Sequence, residues 1–307
     1  MRLRRWLAAV ALVVLAAPLA GSQPAATPAP PVPLLWKLSR ADTTVYLLGS
    51  FHLLRHDDYP LSADVEAAFA DAENVLFEIS PEELHHPELA SRMLEYARYD
   101  RGQALSEEVT PRMRRKLVRL LQSQGIAAQH LDQYEPWFVS LSVVTALSHK
   151  LGYSNQHGLD QFLMRRASDH GKVTGGLETL DDQLRTLDQS PLDEQLLSLR
   201  ELLDSPQRLP AMLSELHGAW RNGDIETMDR LSREEMQEKT PQTYRLINVQ
   251  RNQAWLPQIR ARLETSGDDT LVVVGSLHLL GPDGLVEQLR SRGHVVERIC
   301  SACPPQP

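Results

Sequence analysis

Two short segments, far apart in the chain, constrain the fold more than any other feature. Residues 49–54 read GSFHLL and residues 275–280 read GSLHLL, identical at five of six positions. Each follows an apolar, β-branched run, Thr43 to Leu48 (TTVYLL) and Thr270 to Val274 (TLVVV), with the composition of a buried strand. After the first motif, Ser62 stands as the N-cap of a helix through Val65, Ala68 and Phe69. Asp64 and Glu66 occupy its first turn, where negative charge suits the helix dipole. Another apolar run, Asn74 to Ile79 (NVLFEI), comes next. The second motif is followed by a helix from about Asp283 to Arg292, a stop at Gly293, and the run His294 to Ile299 (HVVERI). Strands apolar on both faces and separated by helices belong in a parallel sheet covered on both sides. The expected fold class is α/β, a mainly parallel sheet formed by N- and C-terminal β-motif-α-β units. A repeat that shares its flanks as well as its letters points to two related halves.

The stretch from about 88 to 263 has a different texture. Apolar residues recur at helical spacing, as in Met113, Leu117, Leu120 and Leu121, and again in Leu192, Leu196, Leu199 and Leu203. It reads as a large helical insertion. Within it, Lys172 to Leu177 (KVTGGL) is a candidate further strand of the same sheet, ending just before Glu178 and preceded by a helix over 159–167 that Gly158 opens.

At the N-terminus, Arg2, Arg4 and Arg5 precede an apolar run from Trp6 to Leu19 and then small residues, the layout of a secretory signal peptide. Residues 1–22 are read as that signal, 23–33 as a Pro/Ala-rich linker, 34–299 as one α/β domain and 300–307 as a tail. The expected location is periplasmic or secreted, without stable membrane insertion once the signal is cleaved. Cys300 and Cys303 are the only cysteines, too few for a zinc ribbon; a local disulfide or a link to another chain is expected, with no catalytic part. The formal net charge of -8 argues against a nucleic-acid partner, which needs a concentrated positive field. The basic run Arg112, Arg114, Arg115, Lys116 and Arg119 reads as a solvated helix face.

Chemistry concentrates at His52 and His278, because packing alone rarely asks for the same polar residue at two equivalent turns. In open α/β sheets, groups beyond the carboxyl ends of strands form the binding crevice, so the motifs are expected to converge there. Glu78 is an acid inside the otherwise apolar VLFEIS and needs a buried partner: an arginine, a cation or the histidine pair. Glu178 is a similar, weaker signal. Two imidazoles with one or two carboxylates suit a divalent cation such as manganese, cobalt or zinc, holding an activated water, with Glu78 or Glu178 as general base. His56, His85, His86, His149 and His157 read as surface or structural. No nucleophile elbow, P-loop or dinucleotide fingerprint is present. Ser50 and Ser276 are conceivable nucleophiles, but turn chemistry explains them adequately.

The segments LLWKLS, YLLGSFHLL, VLFEIS, EPWF, GLDQFL, GGLETLDDQL, RNQAW and VVVGSLHLLG, in that order from about Leu35 to Ile299, resemble the TraB/GumN family, which includes the Tiki proteins. The resemblance implies a divalent-metal hydrolase or peptidase site at His52, Glu78 and His278. It brings in Glu178, Arg251 and Asn252 as pocket residues and Asp160 as a more distant candidate. Arg251 could neutralise a glutamate or clamp a substrate carboxylate, and Asn252 could donate to an oxyanion, against the plainer reading of helix-surface polarity. The resemblance gives no agreed substrate: Tiki implies metal-dependent proteolysis, TraB interference with a peptide pheromone, GumN association with exopolysaccharide genes. The expected function is an exported metal-dependent hydrolase acting on a peptide or other small exported substrate. The alternatives are a non-catalytic peptide- or glycan-binding protein and a metal-independent His/Glu esterase-like hydrolase.

Overall fold

A computed structural model describes residues 29–100 and 102–303. The expected signal peptide, residues 1–22, lies outside the described residues, as does most of the linker. Residues 29–33 already dock on the fold: Pro31 and Pro33 are buried, the Val32 N–H donates to the Arg221 carbonyl at 2.6 Å, and Ser62 N–H donates to the Pro31 carbonyl. Proline rings bury readily where no backbone N–H has to be satisfied, so composition alone placed this boundary a few residues late.

The sheet has six strands: β1 (Leu35–Arg40), β2 (Thr43–Ser50), β3 (Asn74–Ile79), β4 (Val173–Glu178), β5 (Thr270–Gly275) and β6 (Glu297–Arg298). Their order is β4-β3-β5-β2-β1-β6. Strands β4, β3, β5 and β2 are mutually parallel, so the strands before the two motifs lie side by side, with Ser50 level with Gly275. All of β3 and β5 is buried, as their continuous apolar runs required.

The two units part company after their helices. The first continues from the helix Ala63–Asp71 into β3, beside β5. The second continues from a helix of only Leu285–Arg290 into a two-residue strand, β6, which lies antiparallel at the far edge of β1. Both sides of β5 are already paired, to β2 and β3, so the run at 294–299 finds no parallel neighbour. Strand β1 was not expected; it turns back on β2 through Ala41 and Asp42 and pairs with it antiparallel. Ser62 does precede the first helix, but its side chain makes no cap bond and its hydroxyl is buried without a partner.

The central stretch is helical apart from β4, which extends one residue further than expected and so contains Glu178. It has its own core, in which Leu117, Leu121, Val139, Val143, Leu199 and Leu203 are buried, and Ile79 of β3 belongs to it. A second core wraps the sheet and includes Trp220 and Trp255, both fully buried. The basic run at 112–119 lies on the helix Pro111–Ser123, where Lys116 pairs with Asp204. Cys300 and Cys303 form the local disulfide. Among the described residues, no helix is long and apolar enough to cross a membrane.

One loop contact seats the first motif. Gly158, at the start of the helix Leu159–Asp169, packs so closely that a Cβ there would sit 2.4 Å from the His52 carbonyl oxygen. The obstacle is backbone, which cannot swing aside. Gly158→Ala should therefore destabilise the fold by about 1–3 kcal/mol through overpacking, read as a lower urea midpoint at unchanged m-value; an unchanged midpoint would show that this contact is slack.

Candidate active site

The four parallel strands end at one edge of the sheet, and the site is built there. Glu78 is the only ionisable residue of the fully buried β3. Its Oε1 accepts the Gly275 N–H at 2.7 Å, and its Oε2 accepts from Arg251 Nη2 at 2.6 Å and from Gln183 Nε2 at 3.2 Å. Glu178, at the end of β4, accepts from Arg251 Nη2 at 2.6 Å and Nε at 3.0 Å, and from Trp255 Nε1 at 3.2 Å. Arg251 opens the helix Arg251–Ala261, and Trp255, four residues on, shares its face and lies under the guanidinium. Arg251 Nη1 donates to the Ile247 carbonyl at 3.1 Å and to His278 Nε2 at 3.2 Å.

These contacts employ all five N–H groups of the guanidinium. Arg251 thus neutralises the glutamates and has no donor left to clamp a substrate carboxylate. Burial, the largest single influence, pushes the Glu78 carboxyl up, but Arg251, His278, His52 and the Gly275 N–H together outweigh it and hold the group well below the usual carboxylate range. Burial dominates at Glu178 and raises it, with the charge of Glu78 adding to the rise and Arg251 opposing it.

The two motif histidines occupy unlike environments. His278 sits in the short 3-10 turn Ser276–Leu279 after β5 and is buried. Asn252 Nδ2 donates to the carbonyls of His278 and Asp283, so its Oδ1 accepts from His278 Nδ1 at 2.7 Å. That network assigns the proton to Nδ1 and leaves the Nε2 lone pair facing Arg251. Burial lowers the His278 pKa to about 3. Asn252 is 2% exposed and both its amide hydrogens are engaged, so it orients His278 rather than meeting an oxyanion.

His52, by contrast, leaves 61% of its side chain open. Its Nδ1 is held by Asp160 Oδ2 at 2.7 Å, and the charge of Asp160 raises its pKa above the ordinary value, with solvent screening part of the effect. Asp160 lies in the first turn of the helix that Gly158 opens, so the more distant of the pocket candidates is the direct partner of His52.

His52, Glu78 and His278 converge over Gly275. A Cβ there would lie 3.2 Å from Glu78 Oε1, 3.3 Å from His52 Nε2 and 3.7 Å from His278 Cδ2, so the motif glycine keeps this space clear. The donor chemistry suits a divalent cation, but one of the lone pairs it would use is already taken. Glu78 Oε2 and His278 Nε2 both receive N–H groups from Arg251, so Glu78 Oε1 and His52 Nε2 face the space over Gly275 while His278 Nε2, 3.8 Å from Glu78 Oε1, has its lone pair engaged by the arginine. Among the described residues, no group of three or more His, Cys, Asp or Glu side chains is placed to hold a metal ion.

A cleft of about 440 Å³ opens above these groups and is lined by His52, Glu78, Arg251 and His278, but not by Glu178 or Asn252. His85, His86 and His149 are exposed, and His56 meets His157 edge-on. Sequence reading missed Gln183, which bridges the two glutamates, and a buried support beneath the first motif. There His217 Nε2 contacts both oxygens of Asp58 at 2.8 and 2.9 Å, Arg221 pairs with the same carboxylate, and Trp220 Nε1 donates to the Gly49 carbonyl at 3.0 Å. Trp255 had a signal in its spacing from Arg251. His217 and Asp58 had none, since their partnership is set by packing across 159 residues.

A model of the TraB/PrgY/gumN family matches residues 34–298, which take in both motifs and the helical stretch between them. An uncharacterized protein of Treponema pallidum (strain Nichols) is 22% identical over 276 residues, covering 84% of this chain and 80% of its own.

The charge knot has a pH signature. In Arg251→Gln, two buried carboxylates lose their cation, a change that typically costs about 3–5 kcal/mol. Burial would then carry the Glu78 folded-state pKa above the unfolded one and lift the already raised Glu178 further, so the deficit against wild type should widen as pH rises from about 4.5 toward neutrality. Urea unfolding of both proteins at pH 5 and pH 8 checks this; an equal deficit at both would show that the arginine acts by packing alone.

Proposed function

The chain belongs to the TraB/PrgY/gumN family, and from that premise we propose that it is a hydrolase in which His52 handles the proton of an attacking water. The observation that carries this reading is the His52–Asp160 contact at the mouth of the cleft. Asp160 fixes Nδ1 as the donor, so Nε2 carries the lone pair and points toward the space over Gly275. An imidazole oriented by a carboxylate through its other nitrogen is a general base with a built-in counter-charge for the cation it becomes. Neither glutamate suits that task. The carboxylate of Glu78 is a weak base with both oxygens engaged, and Glu178 does not face the cleft.

In this reading Glu78 and Arg251 form a rigid floor that Glu178 braces from outside the cleft, and the neutral His278, with Nε2 turned toward Arg251, adds no proton chemistry. Export to an oxidising compartment is part of the proposal, supported by the arginine-then-apolar N-terminal sequence and by the Cys300–Cys303 disulfide.

A second reading, hydrolysis assisted by manganese, cobalt or zinc, is favoured by the convergence of His52, Glu78 and His278 over Gly275. It requires Arg251 to release His278 Nε2. A third, a non-catalytic binder, uses the same cleft without turnover.

These readings separate on a peptide and ester substrate panel. His52→Ala should lower kcat by roughly 10²–10⁴. Wild-type kcat/KM should rise with pH as His52 loses its proton, and Asp160→Asn should shift that rise to lower pH, because the residue that holds the proton on is gone. Activity that survives exhaustive chelation supports the metal-free reading. Loss on chelation with recovery on manganese, cobalt or zinc replaces it with the metal reading, and ligand binding without turnover under every condition leaves the binder.

A further inference from the structure

The walls of the cleft carry information that the reacting groups do not. Phe51, Leu53, Leu187, Leu216, Ile247 and Leu277 all line it and are all half-buried, so each keeps an apolar face open to whatever enters. They come from both motifs and from three separate helical segments of the central stretch. Water gains nothing from such walls, and an apolar side chain would gain about 25 cal/mol for each Å² it hides there.

The charges in the cleft are already spoken for. Glu78 has a donor on each oxygen and Arg251 has an acceptor for each N–H, so neither offers an ionic partner. Among the described residues, no lysine and no other arginine lines the cleft. The chain as a whole carries a formal charge of -8, which repels anions at longer range. A ligand with a free carboxylate would lose its hydration here, with only the partly exposed His52 to answer it.

One polar atom is left over. Ser50 is 2% exposed and lines the cleft, yet its Oγ has no hydrogen-bond partner. Its counterpart in the second motif is satisfied, since Ser276 Oγ donates to the Ser50 carbonyl at 2.9 Å. Among the described residues it is the only buried side-chain polar atom of the cleft left in that condition. An unmade buried hydrogen bond costs roughly 1–3 kcal/mol, so a hydroxyl in this position is poised for a ligand acceptor.

We propose that the cleft selects an uncharged, apolar stretch of substrate, entered through an internal amide or ester whose carbonyl accepts a hydrogen bond from Ser50 Oγ, and that it rejects ligands ending there in a free carboxylate. For a peptide this means cleavage within the chain rather than trimming from its C-terminus. The turnover part of this statement rests on the hydrolase reading above; the ligand class does not.

The test uses binding and stability, so the two readings fail separately. Short leucine- and phenylalanine-rich peptides are prepared with acetyl and amide caps, with a free C-terminal carboxylate, and with one residue replaced by aspartate or lysine. Affinities are measured by calorimetry on the His52→Ala protein, alone and combined with Ser50→Ala or Leu216→Lys, and the free-acid comparison is repeated on the protein with His52 intact. Capped apolar peptides should bind at least tenfold more tightly than their free-acid and charged counterparts. Leu216→Lys should reverse the order for the aspartate peptide. Ser50→Ala should weaken capped-peptide binding severalfold while leaving Tm unchanged or higher, because it removes an unsatisfied buried hydroxyl; a purely structural serine would lower Tm and leave affinity alone. Equal or tighter binding of the free-acid peptides, no binding of any capped peptide, or a Ser50→Ala protein that binds as before would each overturn the proposal. Capped-peptide binding without cleavage by the wild-type protein would uphold it and count against the hydrolase reading instead.

Discussion

The guanidinium of Arg251 is the joint on which the rest of the site depends. It links Glu78 on β3, Glu178 on β4, His278 after β5 and its own helix in a single set of contacts. Buried ion pairs are weak sources of net stability, because desolvation offsets most of their attraction. Their effect here is on arrangement. Without the arginine, Glu78 would be driven toward its neutral form in the interior of a sheet, and the Gly275 N–H would lose a charged acceptor. The His278 lone pair would also face a void. With it, three strand ends and one helix are held in one register, and the floor of the cleft becomes a fixed surface with no free valence.

Two nearly identical motifs stand on that floor in opposite electrostatic states. His52 has a carboxylate at Nδ1 and an open Nε2; His278 has an amide at Nδ1 and an arginine at Nε2. One is pushed toward its cation and the other toward its neutral form. The cause is position rather than sequence. Strand β5 lies in the middle of the parallel set, so the turn after it is covered on every side, while the loop after β2 runs out toward the helix that carries Asp160. Environments that drive paired titratable groups apart are how one set of side chains divides roles.

How much of this was legible beforehand follows the same division between local and long-range causes. The two motifs, their strands and the shared parallel sheet could be read from apolar runs of a few residues. Glu78 was visible because a single acid in an apolar strand has to be explained. The antiparallel β1 was not visible, and the strand expected over 294–299 was legible only as a run, not as the short antiparallel β6 beyond β1, since which edge a strand takes depends on which edges are already filled. Asp160 was underweighted for a related reason: its contact with His52 spans 108 residues and relies on Gly158 letting the chain pass close by. For Arg251 and Asn252 the sequence suggested a place in the pocket. It could not tell whether their hydrogen bonds would be free or spent, because that requires counting every neighbour.

That count also separates the two halves of the fold by task. Groups able to move a proton or hold a charge come from the strand ends and the loops just beyond them, and are locked by mutual hydrogen bonds. The apolar walls come from the motifs and the helical stretch alike; Leu187 packs on the separate helical core, whereas Leu216 packs against the core around the sheet. A charged substitution at the floor has to be absorbed by the whole Arg251 network, whereas a substitution at a half-buried wall meets mainly the ligand. A family built on this plan can therefore hold its reacting groups constant while its ligands diverge. That is the physical reason why likeness at the two motifs, on its own, says little about what enters the cleft.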